Sequence, residues 1–191
     1  KPGRYLLAMP SYAYLEQLRQ TLDKIDLINL SADKLLFQER GQSAHAQQDL
    51  ISKFCGQDSV IMGVVLGGGL SESIDFGTAK LSGVVVIGIG LPPPSLERNL
   101  MARFYATADS PDVGQTMAYI QPAMARVIQA AGRLVRSLDD RGVICLVDPR
   151  FQKPQLAKFF PSYWRPLSLQ LNQVERSVNS YWAHDTGRLE D

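Results

Sequence analysis

The sequence is poor in the residues that build metal centres and disulfide frameworks. Its 191 residues include two cysteines and two histidines. Cys55 and Cys145 are far apart in apolar surroundings, which favours buried free thiols in a reducing compartment, and we expect a cytoplasmic protein. His45 and His184 have no cysteine or second histidine nearby, which argues against a zinc site. The sequence therefore predicts no metal site in this chain.

Neither sign of charge predominates. The 20 basic and 19 acidic residues leave a net charge of +1, so any contact with nucleic acid must come from local patches. The longest apolar run, 84–91, is far below the roughly 20 residues that cross a bilayer, and it predicts a buried strand and no membrane partner. No signal peptide precedes the fold and the first residue is Lys1, so we expect a piece of a longer protein.

Apolar strand patterns alternate with helical patterns along the chain. Strands are predicted over 4–9, 26–30, 60–66, 83–90 and 143–147, and helices over 12–24, 45–54, 96–108, 118–137 and 169–182. The segment 31–43 is polar and unpatterned, and 109–115 is predicted to be a loop. Strands that are apolar on both faces and separated by helices predict an α/β fold with a parallel sheet covered on two sides.

In such sheets ligands gather at the carboxyl ends of the strands. Three features follow predicted strands, and the helix 118–137 enters beside them. They are Ser11 with Tyr12, the loop 67–75, and Asp148 with Arg150.

The helix 118–137 is predicted to carry a polar stripe. At about 100° per residue, Gln129, Arg133 and Arg136 share one side of it. Two guanidiniums on a rigid support suit phosphate, although a solvated face or salt bridges would give the same spacing. Gly132 costs roughly 1 kcal/mol of helix propensity relative to Ala, which suggests a close-packed neighbour. The opposite stripe should face the core: Val127, Ala131, Leu134 and Leu138.

The loop 67–75 begins with three glycines, which allow backbone N–H groups to approach an anion closely. A tight turn is the competing interpretation. Glu72 and Asp75 could hold a ribose hydroxyl, a water on magnesium, or Arg133 or Arg136 in an internal salt bridge. No GxxxxGK[ST] phosphate loop occurs in the sequence, so arginines acting on a triphosphate would need a nucleotide held by another domain.

Several motifs resemble a known family. The segment QAAGRLVRSLDDRGVICLVDPRF, 129–151, resembles motif VI of superfamily 2 helicases in the DinG/XPD form, QxxGRxIR followed by D-x-G, a strand and D-x-R. GGGLSESIDF, 67–76, is similar to motif V, GGxFSEGIDF, except that Ser73 stands at the glycine position. LLAMPSYAYL, 6–15, is similar to motif IV, and IGLPPP and FPSYWRP match later segments. The similarity is collinear over nearly the whole chain.

The resemblance implies a RecA-like three-layer sandwich with a mostly parallel central sheet. Residues 1–166 would form the second motor domain of an ATP-dependent DNA helicase that moves 5′ to 3′, with 167–191 as its terminal helix and tail. A role in DNA repair or replication would follow. The first motor domain of the same polypeptide would hold ATP and Mg²⁺, and in many relatives an iron–sulfur cluster, which the two cysteines here could not hold.

The resemblance also implies roles for particular residues. Arg133 and Arg136 would reach the γ-phosphate and Gln129 would help to sense it. The nucleotide side of the site would include Glu72, Asp75 and Gly132. The residues expected near the backbone of single-stranded DNA are Ser11, Tyr12, Gly68, Gly69 and Ser71.

Two alternatives remain at this point. A stand-alone doubly wound module could bind a phosphorylated small ligand at the loop 67–75 without catalysis. A DNA-binding regulator without a motor is the third interpretation. Elsewhere, Trp164 and Trp182 are predicted to pack rather than to stack on bases, and Arg98 and Arg103 to lie on a solvated helix face.

Overall fold

A parallel sheet forms the centre of the molecule. The computed structural model describes residues 1–22, 24, 32–70, 76–107 and 110–183. Within these ranges the strands pair in the order β2-β3-β1-β4-β5, and every pairing is parallel. The predicted α/β fold is therefore confirmed. The strands are β1 (Arg4–Met9), β2 (Leu35–Phe37), β3 (Val60–Val65), β4 (Gly83–Ile87) and β5 (Val143–Val147).

Helices connect the strands and cover both faces of the sheet. Short 3₁₀ turns occur at Ala32–Lys34 and Pro149–Gln152, and a π-helical segment spans Thr116–Ile120. The α-helices are α1 (Tyr12–Leu22), α2 (Ala44–Cys55), α3 (Leu96–Tyr105), α4 (Pro111–Gln115), α5 (Gln121–Ala131), α6 (Pro154–Ala157) and α7 (Leu171–Ala183).

Alternate residues of each strand enter two separate cores. On one face Leu6, Met62 and Val84 pack with residues of α2 and α5, such as Phe54 and Val127. On the other face a smaller cluster forms around Met9, Leu15 and Val65, with α1 supplying Leu15. Because side chains alternate across a strand, runs such as VIMGVV are apolar at nearly every position and serve both layers.

Two elements of the structure differ from the pattern in the sequence. β2 lies within the segment that we interpreted as unpatterned, because three residues are too few to show a period. The predicted loop 109–115 contains the helix α4, which begins at Pro111, a favoured first residue of a helix. The predicted strand 26–30 and the tail from 184 lie outside the described residues.

The predicted helix 118–137 is wrong at both ends. A π-helical segment precedes α5, and the carbonyl of Ala118 accepts a hydrogen bond from Arg98 Nη1 at 2.8 Å. Arg98 is therefore half-buried in a structural contact, not on a solvated face, whereas Arg103 is exposed as expected. At the other end α5 stops at Ala131, and Gly132 forms its C-cap.

Beyond Gly132 the hydrogen bonds change from the α-helical to the 3₁₀ pattern and the chain leaves the helix axis. Arg133 N donates to Ala130 O at 3.3 Å and Leu134 N donates to Ala131 O at 3.1 Å, the i→i−3 pattern of a fraying helix end. Leu134 is 3% exposed and turns into the core, whereas Leu138 is fully exposed. The prediction that Leu138 faces the core is wrong, and so is the single helical stripe of Gln129, Arg133 and Arg136.

The terminal helix α7 lies against the start of the chain. Lys1 Nζ stands 4.0 Å from the centroid of the Trp182 ring, and the Arg141 guanidinium stands 5.3 Å from that of Tyr181. Trp164 packs beside Phe160 with ring centroids 5.5 Å apart, so both tryptophans make the packing contacts that we predicted. Among the described residues no helix combines the length and apolarity needed to cross a membrane.

Candidate functional site

The three glycines after β3 lie at the carboxyl end of the sheet, Gly67 and Gly68 in a tight turn and Gly69 at the start of a helical stretch, and we call them the glycine turn (67–69). Gly67 has a φ of +75°, a conformation that side chains with a Cβ rarely adopt. Gly68 N donates to Val65 O at 3.0 Å, and Leu66 N just before it donates to Met9 O at 2.8 Å. The turn is thus attached directly to the ends of β3 and β1.

The side chains of Arg126, Gln38 and Gln47 lie close to the glycine turn. A Cβ on Gly67 would lie 2.7 Å from Cζ and Nε of Arg126, and one on Gly68 would lie 3.2 Å from Nε2 of Gln38. On the outer side, Gln47 Oε1 would be 3.6 Å from a Cβ on Gly69. The positive φ of Gly67 favours glycine there, and at Gly68 a Cβ would crowd the carbonyl of Val65 at 3.1 Å and the amide of Gln38 at 3.2 Å.

Gln38 is a buried polar side chain that the sequence analysis did not single out. It is 4% exposed, and its Oε1 accepts a hydrogen bond from Val65 N at 3.0 Å. Its own backbone N–H donates to Gly63 O at 2.9 Å, which extends the pairing of β2 with β3 by one residue. Because β2 ends at Phe37, no strand carbonyl is available to accept from Val65 N, and the Gln38 side-chain oxygen accepts this hydrogen bond instead. Only the tertiary structure reveals this role.

The exits of β1, β4 and β5 meet beside this turn. Gly88, with a φ of +74°, lies so that a Cβ would be 3.4 Å from Pro10 Cγ and 3.9 Å from Asp148 Oδ2. Ser11 follows Pro10, and its Oγ accepts from Tyr14 N at 3.4 Å at the start of α1. Tyr12 is half-buried against the smaller core cluster. The described residues predicted to contact DNA therefore share the carboxyl edge of the sheet.

Asp148 and Arg150 at the exit of β5 bind each other. Arg150 Nε donates to Asp148 Oδ1 at 2.9 Å and Nη2 donates to Oδ2 at 2.7 Å, a bidentate pair. Asp148 also accepts from the backbone N–H of Arg150. The hydrogen bond from the guanidinium lowers the pKa of Asp148, and the carboxylate raises the pKa of Arg150. This pair stabilises the 3₁₀ turn that follows the sheet.

The residues 132–140, which we call the arginine segment, lie toward the amino ends of β4 and β5. Leu134 contacts the position of Gly142, directly before β5. Asp140 Oδ1 pairs with Lys80 Nζ at 3.1 Å, three residues before β4 begins. Only the earlier part of α5, at Arg126, therefore reaches the carboxyl edge where we expected the arginines.

Asp140 organises the arginine segment. Its Oδ2 accepts hydrogen bonds from the backbone N–H groups of Arg136 and Ser137, both at 2.9 Å. The hydrogen bond from the backbone of Arg136, the ion pair with Lys80 and the hydrogen bond from Ser137 lower the pKa of Asp140 to about 2. The Arg136 guanidinium stands 5.6 Å from the centroid of the Phe76 ring, and Phe76 is itself buried against Phe54. The segment is thus a turn with a fixed backbone and an exposed Arg136.

The nucleotide-side residues fall into two groups. Gln129 is exposed on the last turn of α5, Gly132 is exposed at its end, and Arg133 is half-buried just after it. Glu72, Asp75, Ser71 and Ser73 lie outside the described residues. No group of three or more potential metal ligands occurs within the described ranges.

Comparison with known proteins identifies the family. The model of the family "Helicase C-terminal domain" matches residues 1–167. The chain belongs to this family. The ATP-dependent DNA helicase DDX11 of Mus musculus is 26% identical to this helicase C-terminal domain over 194 residues, covering 86% of the chain and 20% of that protein. A Caenorhabditis elegans homolog of regulator of telomere elongation helicase 1 is 33% identical over 134 residues, covering 65% of the chain and 13% of that protein.

Solved structures agree on the fold of this helicase C-terminal domain. An XPD helicase matches with a TM-score of 0.62 at 24% identity, over 82% of this chain and 27% of that one. The C-terminal domain of the DEAD-box protein Dbp5 matches with a TM-score of 0.50 at 15% identity, over 94% of this chain and 83% of that one. The RecA-like fold and the predicted resemblance to DinG/XPD helicases are confirmed. The chain spans about a fifth of the length of DDX11.

Proposed function

We propose that this helicase C-terminal domain is the second motor domain of an ATP-dependent DNA helicase of the DinG/XPD type, which moves 5′ to 3′. In this proposal Arg133 and Arg136 act on ATP that another domain of the same polypeptide holds. The observation that carries it is the arginine segment, a turn with a fixed backbone and an exposed guanidinium.

The geometry of the arginine segment suits a phosphate that arrives from outside the domain. The carboxylate of Asp140 accepts hydrogen bonds from two backbone N–H groups and forms an ion pair with Lys80. The Arg136 guanidinium lies over the ring of Phe76. A planar guanidinium can contact two phosphate oxygens at once and stabilise the charge that develops during phosphoryl transfer. We assign Gln129, which is exposed on the last turn of α5, to sensing the γ-phosphate.

The nucleotide itself would belong mainly to the first motor domain. The chain has no phosphate loop, and its described residues include no cluster that fits Mg²⁺. When bound there, Mg²⁺ would neutralise charge on the phosphates of ATP. We propose that Glu72, Asp75 and Gly132 adjoin that nucleotide, and that the isolated chain does not hydrolyse ATP. An iron–sulfur cluster, if the full-length protein has one, would also lie in the other part.

The carboxyl edge of the sheet is proposed to contact single-stranded DNA. Hydroxyl and N–H groups there can bind phosphates without reading sequence. The glycine turn leaves its backbone accessible at Gly69, where the nearest atom to a Cβ would be 3.6 Å away. The residues assigned to this contact are Ser11, Tyr12, Gly68, Gly69 and Ser71.

We propose that residues 1–166 form the motor domain and that 167–191 belong to the same domain. The contacts of Lys1 with Trp182 and of Arg141 with Tyr181 support this boundary, because they hold α7 against the start of the chain and against the segment before β5. A DNA helicase of this type would act in DNA repair or replication. The reduced cysteines Cys55 and Cys145 suit a reducing compartment such as the cytoplasm.

The test is ATP hydrolysis by the full-length protein with and without single-stranded DNA. Arg136→Ala should reduce the DNA-stimulated rate by about 10³-fold or more, the range of arginine-finger contributions. The matched control is Arg176→Ala, which removes an exposed arginine of α7 and should leave the rate unchanged. Wild-type turnover by Arg136→Ala would refute the assigned role. A full-length protein without DNA-stimulated hydrolysis would refute the helicase proposal itself.

A further inference from the structure

Arg126 is the residue of α5 that reaches the glycine turn. Its guanidinium carbon and Nε both lie 2.7 Å from the position that a Cβ on Gly67 would take, and its Cδ lies 3.0 Å from it. The side chain therefore lies directly on the backbone of the turn. It is half-buried, and its neighbour Val127 is fully buried in the core, so the helix itself cannot shift without repacking.

The same helix leads to the arginine segment. Arg126 precedes Gly132 by six residues, which is about 9 Å along a helix. Met124, Val127 and Ala130 fix α5 against the sheet on its buried side. The helix α5 thus contacts the glycine turn through Arg126, near the middle of the helix, and its C-terminal end leads into Arg133 and Arg136. Two regions on different edges of the sheet are joined by one element.

We propose that Arg126 is a positioning residue that couples the glycine turn to the arginine segment through α5. This inference rests on the proposed function, in which the turn contacts DNA and the arginines act on ATP. A displacement of α5 moves the guanidinium against Gly67, and a displacement of the turn moves α5 in return. Such coupling is reciprocal, because each site biases the same element.

The planar guanidinium is essential to this role. A flat group can cover a glycine backbone at van der Waals distance, whereas the ammonium group of lysine is compact and strongly hydrated. Arg126→Lys keeps the charge and most of the stem but loses the flat surface. It should therefore restore only part of the coupling that Arg126→Ala loses.

The first experiment measures ATP hydrolysis by the full-length protein across a titration of single-stranded DNA. Arg126→Ala should leave hydrolysis without DNA within twofold of wild type and reduce the stimulation ratio at least fivefold. A role in folding alone would lower both rates together and leave the ratio unchanged. The control Arg176→Ala should match wild type in both rates, and thermal midpoints report whether each variant is folded.

Two results would overturn the inference. They are an unchanged stimulation ratio in Arg126→Ala, whether or not both rates fall together, and full recovery by Arg126→Lys. If Arg126→Ala does not fold, an unchanged ratio in Arg126→Lys overturns it. A wild-type protein that DNA does not stimulate would refute the proposed function and the coupling with it, an outcome separate from these results.

A second measurement follows the turn itself by amide hydrogen exchange in the full-length protein. Removal of the guanidinium uncovers Gly67, so Arg126→Ala should increase exchange in the peptide that contains 66–70 by several-fold. Peptides from β1 and β4 should exchange as in wild type. Unchanged exchange at 66–70 would overturn the inference whatever the hydrolysis rates show.

Discussion

Gln38→Met tests whether one buried amide holds the end of β3. Methionine keeps the length of the side chain but offers only a weak acceptor to Val65 N, which in the wild type donates a 3.0 Å hydrogen bond to Gln38 Oε1. A buried N–H without a partner reduces stability by about 1–3 kcal/mol. Because the volume is nearly conserved, no large cavity term is added. We therefore expect the free energy of unfolding to fall by about 1–3 kcal/mol.

The assay is urea denaturation of the 191-residue chain, followed by a thermal melt. For a domain of this size, a loss of about 1–3 kcal/mol lowers the melting temperature by about 2–12 °C. Gln48→Met is the matched control, since Gln48 is exposed on α2 and the same change there should stay within about 0.5 kcal/mol of wild type. If the two variants are equally stable, the Gln38 hydrogen bond does not hold the strand end and the argument fails.

Two further substitutions test the packing of α3 against α4 and the charge of Asp140 in the arginine segment. Gly114→Ala would place a methyl group on the carbonyl of Ala102, so the free energy of unfolding should fall by about 1–3 kcal/mol. Gly69→Ala is the control, because a Cβ there meets only Gln47 Oε1 at 3.6 Å, and equal melting temperatures would contradict the close crossing of α3 and α4. Asp140→Asn should destabilise the chain at neutral pH. Because the folded pKa of Asp140 is lowered to about 2, its contribution is complete above about pH 4 and is lost as the pH falls through about 2. A difference between wild type and Asp140→Asn that stays constant from pH 7 to pH 2 would exclude this account.

The sheet was predictable because its strands are apolar on both faces. Runs such as VIMGVV and GVVVI have few alternatives to burial between two helical layers, and all pairings are parallel as expected. β2 escaped prediction because its three residues precede Gln38, a polar side chain that would normally mark a loop. The burial of the Gln38 side chain depends on its hydrogen bond with the N–H group of Val65 in β3, 27 residues away along the chain.

The helical stripe of Gln129, Arg133 and Arg136 failed for a local reason. The spacing i, i+4, i+7 has meaning only if the helix continues, and α5 ends before Gly132. A glycine after the last apolar turn is a common stop signal, and Asp140 accepts from the backbone of Arg136 and Ser137 in competition with a helix. Both signals were present in the sequence. The motif showed which residues matter, while the geometry depended on these two side chains.

Arg126 could not be found from spacing at all. It lies three residues before Gln129 in the same helix, but its contact with Gly67 needs the positive φ of a turn 59 residues away. A sequence pattern reports neighbours along a helix and does not report which distant backbone a side chain will cover. This is why the glycine turn and the arginine segment looked like two independent motifs.

The end of α5 at Gly132 changes what the arginines can do. On a continuous helix, Arg133 and Arg136 would move only with the whole rod and its core contacts. On the arginine segment, the position of Arg136 depends on the carboxylate of Asp140, and Asp140 also binds Lys80, three residues before β4 begins. The arginine segment is therefore held from both sides, by α5 before Arg133 and by Asp140 with Lys80 after Arg136, so the position of Arg136 depends on a carboxylate outside the helix as well as on the helix.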